Sequence, residues 1–140
     1  MDRSKRLERL ADLSSTAERI AAQALAKTNG DLIQYQSQLA ELKSYRVEYQ
    51  RSLVGGEGVL INAHEAQKLR AFLQRIDAAI AQVEQMMALA LRRGDREREA
   101  WMEKRLRTDV LAGIADRARH HEAEAAEQRL QREIDDRPRR

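Results

Sequence analysis

A chain of 140 residues in which 35% are charged and only 4% aromatic has too few large apolar side chains for a centred core, so burial must follow a narrow seam between helices. It has no cysteine, which excludes disulfides and thiolate metal sites and fits a reducing cytoplasm, and no apolar run of ~18 residues able to span a bilayer. The net charge is only +3, and acids interleave with bases, as in RRGDREREAWMEKRLR (92–107), which is a solvated helix laced with pairs and not the one-sided basic stripe a phosphate backbone requires. The start, MDRSKRLERL, lacks an apolar signal core and carries acids among its bases, so neither secretion nor import is indicated.

The first predicted element is a helix over about 3–53. Its apolar stripe runs Leu7, Leu10, Leu13, Ala17, Ile20, Ala24, Thr28, Leu32, Tyr35, Leu39, Leu42, Arg46, Tyr49 and Leu53. Steps of three and four alternate, the seam of a left-handed coiled coil. Asn29-Gly30 is a turn signal, yet the stripe passes through it in register, so a continuous helix is expected.

A turn over about 54–62 follows, where Gly55, Gly56 and Gly58 can take the positive φ angles of a reversal. Asn62 and Glu65 have the spacing of an N-cap with its reciprocal acid, which starts a second helix near Ala63. That helix runs to about 134 with a seam of Leu69, Leu73, Ile76, Ile80, Val83, Met87 and Ala90. The seam continues less cleanly through Gly94, Trp101, Leu111, Ala115 and Ala118. A short reversal between two amphipathic helices makes an antiparallel hairpin, so the expected fold is all-α, a long antiparallel two-helix coiled coil forming one domain over 1–140. A turn centred near residue 57 places Tyr45 and Tyr49 opposite Ala66 to Arg70, and Trp101 near Ser14. Residues beyond about 113 then lack a partner in the first helix, and 135–140 are expected to be disordered.

Beside the seam, Phe72, Ala79 and Met86 recur every seven residues. The early second helix therefore carries an apolar face wider than one hairpin can bury, and the surplus suits a partner, a third helix or self-association. In YRVEY (45–49) the tyrosines read as seam residues, each covering area while its hydroxyl reaches water. Trp101 reads as a cap on the open end of the seam.

Nothing in the chain assembles an enzyme. His120, His121 and Glu122 include adjacent histidines pointing about 100° apart on a helix, with no second cluster to complete a coordination sphere. GGEG lacks both the strand and the GK[ST] of nucleotide-binding loops. The carboxylates lie on exposed helical faces with nothing to raise a pKa. No catalytic residue, metal or cofactor is expected.

YRVEYQRSL, a glycine-bearing turn, FLQRIDAAIAQ and AWMEKRLR stand here in the order and spacing of the flagellar FliJ family, small coiled-coil proteins of the type III export apparatus, and residues 7 to about 110 resemble that family. Tyr45, Glu48, Tyr49 and Trp101 are the signature positions. The resemblance implies a hairpin like the central stalk of rotary ATPases, whose free ends enter the pore of a hexameric flagellar export ATPase. It also implies binding to the cytoplasmic domain of the membrane export gate and to flagellar export chaperones. The family's gate contact maps onto Phe72, Ile76, Ala79 and Val83; Val83 stands where relatives can carry histidine, and Ile76 lies between seam and second stripe. The tail EIDDRPRR departs from the pattern, so nothing is carried over there.

The function expected is a non-enzymatic stalk and adaptor, cytoplasmic and peripherally associated with the inner membrane at the flagellar base. The alternatives are a homo-oligomeric structural coiled coil and a nucleic-acid-binding hairpin. Interleaved acids argue against the last, and any nucleic-acid binding should vanish at physiological salt.

Overall fold

The computed structural model describes residues 2–54 and 62–138. Two helices, α1 (Arg3–Val54) and α2 (Ala63–Asp135), account for almost all of them, and the described residues contain no strand. The fold is an all-α helical hairpin. Gly55, Gly56 and Gly58, where the reversal was expected, lie outside the described residues. At the start of α2, Asn62 Oδ1 accepts the Glu65 backbone N–H at 2.8 Å, the cap its side chain is suited to provide.

The chain divides into a central unit, Ala24–Arg96, and a terminal unit, Met1–Gln23 with Glu97–Arg140. In the central unit Thr28 meets Arg93, Arg46 meets Asp77 and Tyr49 meets Phe72, so the two helical segments run antiparallel. Ile76, Ala90 and Gly94 of α2 and Thr28 of α1 are its buried centre. In the terminal unit the same antiparallel order appears as Ser4 with Glu122, Glu8 with Arg119, and Ser14 with Thr108. Ala115, 2% exposed, is its best-buried apolar residue.

Two expectations about the seam are corrected. The first is register. Ser14 pairs with Thr108 and not with Trp101, and Tyr49 reaches Phe72 instead of the Ala66 to Arg70 stretch. The pairing has moved about one heptad along α2, a slip that leaves the same faces in contact and is therefore invisible to periodicity. It also gives the stretch beyond 113 its partners in α1, since Arg119 and Glu122 bond Glu8 and Ser4.

The second correction concerns which residues of early α1 face inward. Leu10, Leu13, Ile20 and Ala24 are exposed. The inward positions of the terminal unit are Ser4, Leu7, Ala11, Ser14, Glu18 and Ala21, one helical step away. They oppose a strip of α2 that includes Thr108, Ala115 and Ala118, so small side chains face small ones. Tyr45 was likewise expected inside but is 51% exposed, whereas Arg46, a member of the expected seam, does take a half-buried inward position.

Helix α1 continues through Asn29-Gly30 and α2 through Gly94. A Cβ added at Gly30 or Gly113 meets nothing within 4 Å, and one at Gly94 touches Thr28 Cγ2 at an ordinary 3.5 Å. None of the three is kept for lack of room. Glycine in a helix interior costs about 0.5–1 kcal/mol relative to alanine, so Gly30→Ala and Gly113→Ala should each raise stability by about that amount. Urea titration followed by circular dichroism checks it: the midpoint should rise with the slope unchanged.

Candidate interaction surface

The α2 face of the central unit is built from a heptad. Leu69, Leu73, Ile76, Ile80, Val83 and Met87 recur at three-four spacing and are half-buried or buried, while Phe72, Ala79 and Met86 sit one position before the inward residues. The Phe72 ring meets Tyr49 edge-on, with centroids 4.7 Å apart and planes at 71°, yet the residue stays 39% exposed. Tyr45 lies one turn before Tyr49 on the same side of α1. One flank of the unit is thus aromatic and apolar, made by Tyr45, Tyr49, Phe72 and Ala79. The other is polar: Arg46 Nε donates to Asp77 Oδ1 at 2.5 Å and Arg46 also bonds Gln50. Both partners of that ion pair are well solvated, so it is worth about 0–1 kcal/mol and fixes register more than it adds stability.

The four residues mapped to a gate contact are not equally accessible. Phe72 is accessible, Ala79 and Val83 are half-buried, and Ile76, at 6% exposed, is core. Ile76 faces α1 because it occupies an inward heptad position, so an outside partner reaches Phe72 and Ala79 but not Ile76. Of the signature residues, Tyr45 and Glu48 are exposed and Tyr49 holds Phe72. Trp101 is half-buried, with the Arg105 guanidinium over its ring at 5.4 Å, a cation–π contact across one helical turn.

The terminal unit contains a feature the sequence did not announce. Ser4 is in the first turn of α1, where backbone N–H groups lack helical partners. Glu122 of α2 supplies the acceptor: its Oε1 takes the Ser4 N–H at 3.2 Å and its Oε2 takes the Ser4 hydroxyl at 2.6 Å. A carboxylate from one helix thus caps the positive end of the other. The Ser4 hydroxyl and backbone N–H hold the Glu122 carboxyl below its ordinary pKa. Next to it, Asp116 and Glu8 both stabilise the Arg119 guanidinium and raise its pKa. Asp116 shares a helix with Arg119, whereas Glu8 is on α1.

A pH dependence follows. A carboxylate with a depressed folded-state pKa stabilises the fold above its unfolded value, and that contribution is lost as pH falls through the folded value. The start of α1 should loosen on acidification below about pH 4. Protection of the Ser4 amide and its neighbours, relative to intrinsic exchange at each pH, should fall there in the parent protein, while in Glu122→Gln it should be lower already at neutral pH and change less on acidification.

Among the described residues, no group of three or more histidine, cysteine, aspartate or glutamate side chains is placed to hold a metal ion, and no helix is long and apolar enough to cross a membrane. The exposed apolar residues of the hairpin lie on helix faces. A family model described as "Flagellar FliJ protein" matches residues 3–140. No curated protein and no solved structure matches the chain.

Proposed function

The chain belongs to the flagellar FliJ family, whose members serve flagellar export and are not an enzyme family, and from that premise we propose that it acts as the stalk of the hexameric export ATPase and as an adaptor to the export gate and to export chaperones. In this reading it is cytoplasmic and associates peripherally with the inner membrane at the flagellar base. The observation that carries the adaptor role is the apolar flank of the central unit, where Phe72 and Ala79 lie outside the seam and beside Tyr45 and Tyr49. The gate contact rests on Phe72 and Ala79, with Ile76 and Val83 shaping the surface from beneath. Two antiparallel helices whose terminal segments meet mainly through small side chains suit a slender stalk, and acids interleaved with bases suit a surface that must exchange ionic partners.

The test is a pull-down of the hexameric export ATPase with the full chain, followed by its hydrolysis rate with and without it. The stalk role requires capture and a raised rate. An ATPase that neither binds nor responds removes it, and a parallel titration of the gate's cytoplasmic domain decides the adaptor role separately.

A further inference from the structure

The terminal unit presents a second seam that nothing in the hairpin uses. On the outer face of α1, Leu10, Leu13 and Ile20 are exposed, and with half-buried Ala17 at their edge they repeat at steps of three, four and three, the spacing of a coiled-coil contact. Leu13 and Ile20 are 68% and 62% exposed, while the positions turned toward α2 are mostly alanine and serine. Leu10, Leu13 and Ile20 therefore point away from the only helix this segment packs on among the described residues, while Leu7 faces it.

Charge on that face is one-sided. Among the outward residues of 3–23, Arg3, Lys5, Arg6, Arg9 and Arg19 are basic and Asp12 alone is acidic. The remaining acids of the stretch are drawn inward: Glu8 bonds Arg119 and Glu18 sits half-buried toward α2. One heptad before Leu10, Arg3 borders a shallow groove of about 500 Å³ between the helices, lined also by Ile114, Arg117, Ala118, His121 and Glu122. Arg3 and Arg117 are its cationic lining residues, and Glu122 is held by Ser4.

We propose that this outer face of α1 docks an acidic amphipathic helix of a partner protein, with apolar residues at three-four spacing and carboxylates on both flanks. The spacing selects a helix, because knobs at these positions fill holes between four residues of a facing helix. The charge selects an acidic one and disfavours a second copy, which would set bases against bases. A membrane surface suits it less well, since the face carries no aromatic anchor and its other side is committed to α2. This inference rests on the terminal unit alone and stands apart from the gate contact of the central unit.

The experiment uses the full chain and two synthetic peptides, both with leucine at their a and d positions. One carries glutamate at e and g, the other lysine. Fluorescence anisotropy should show binding of the acidic peptide only, weakening as salt rises. Ile20→Glu, whose melting should match the parent because the site is exposed, should weaken binding by about tenfold or more. The triple variant Arg6→Glu, Arg9→Glu, Arg19→Glu should reverse the preference and bind the lysine peptide. Three results would overturn the proposal: equal binding of both peptides, binding indifferent to Ile20→Glu, or no binding of the acidic peptide. So would self-association in sedimentation, or adsorption to phosphatidylglycerol-containing vesicles, where either is abolished by Ile20→Glu and the acidic peptide does not compete.

Discussion

Ile76→Glu is expected to destabilise the hairpin by about 3 kcal/mol or more, because it leaves an unpaired carboxylate in the central seam where Ile76 is buried. Against a typical total stability of about 5–15 kcal/mol that is a large loss, and every activity should fall together. Ala79→Glu should behave oppositely. It lies on the apolar flank, so melting should move by no more than about 0.5 kcal/mol while gate binding weakens by about tenfold or more. Phe72 is intermediate. Its ring contact with Tyr49 gives Phe72→Glu a stability cost of about 0.5–1.5 kcal/mol beyond lost area, in addition to weaker binding. Tyr49→Ala should reproduce the stability part. Circular-dichroism melting and a titration with the gate's cytoplasmic domain, run on each variant, separate these outcomes. Unchanged gate affinity in Ala79→Glu would remove the site assignment, since a carboxylate cannot be neutral in an apolar contact.

The sequence carried the fold because a three-four period needs no tertiary information. Alternation from Thr28 onward identifies one face of α1, and the same rule from Leu69 to Ala90 identifies the face of α2 that meets it. Register was less legible, since moving one helix by a heptad keeps every apolar residue inward. Only particular pairs settle it, such as the Ser14 and Thr108 hydroxyls at 2.8 Å. The candidate site was legible in part. Heptad spacing set Phe72 and Ala79 apart from the seam, but Ile76 satisfies both patterns and its burial decides which it follows. The cap from Glu122 to Ser4 has no local signal at all, because its two halves are 118 residues apart.

Early α1 misleads a reading by side-chain size, and the same geometry yields an unusual expectation. Following the largest apolar residues back from Thr28 leads through Ile20, Leu13 and Leu10, whereas the inward track runs through Leu25, Ala21, Glu18, Ser14 and Ala11. Both tracks step by three and four, so spacing alone does not choose between them; burial does, and the residues turned toward α2 are the smaller ones, which makes the contact thin. Adding apolar bulk to this seam should therefore weaken it. Ala115→Leu should cost about 1–3 kcal/mol, because the site is closed and extra methylenes force off-rotamer side chains or backbone shifts. Leu13→Ala and Ile20→Ala remove more apolar atoms, yet they lie on the outer face, and each should change stability by no more than about 0.5 kcal/mol. Urea unfolding of the three variants orders them. If Leu13→Ala proves costlier than Ala115→Leu, the large residues are the seam and the inward face of α1 has been assigned one helical step out.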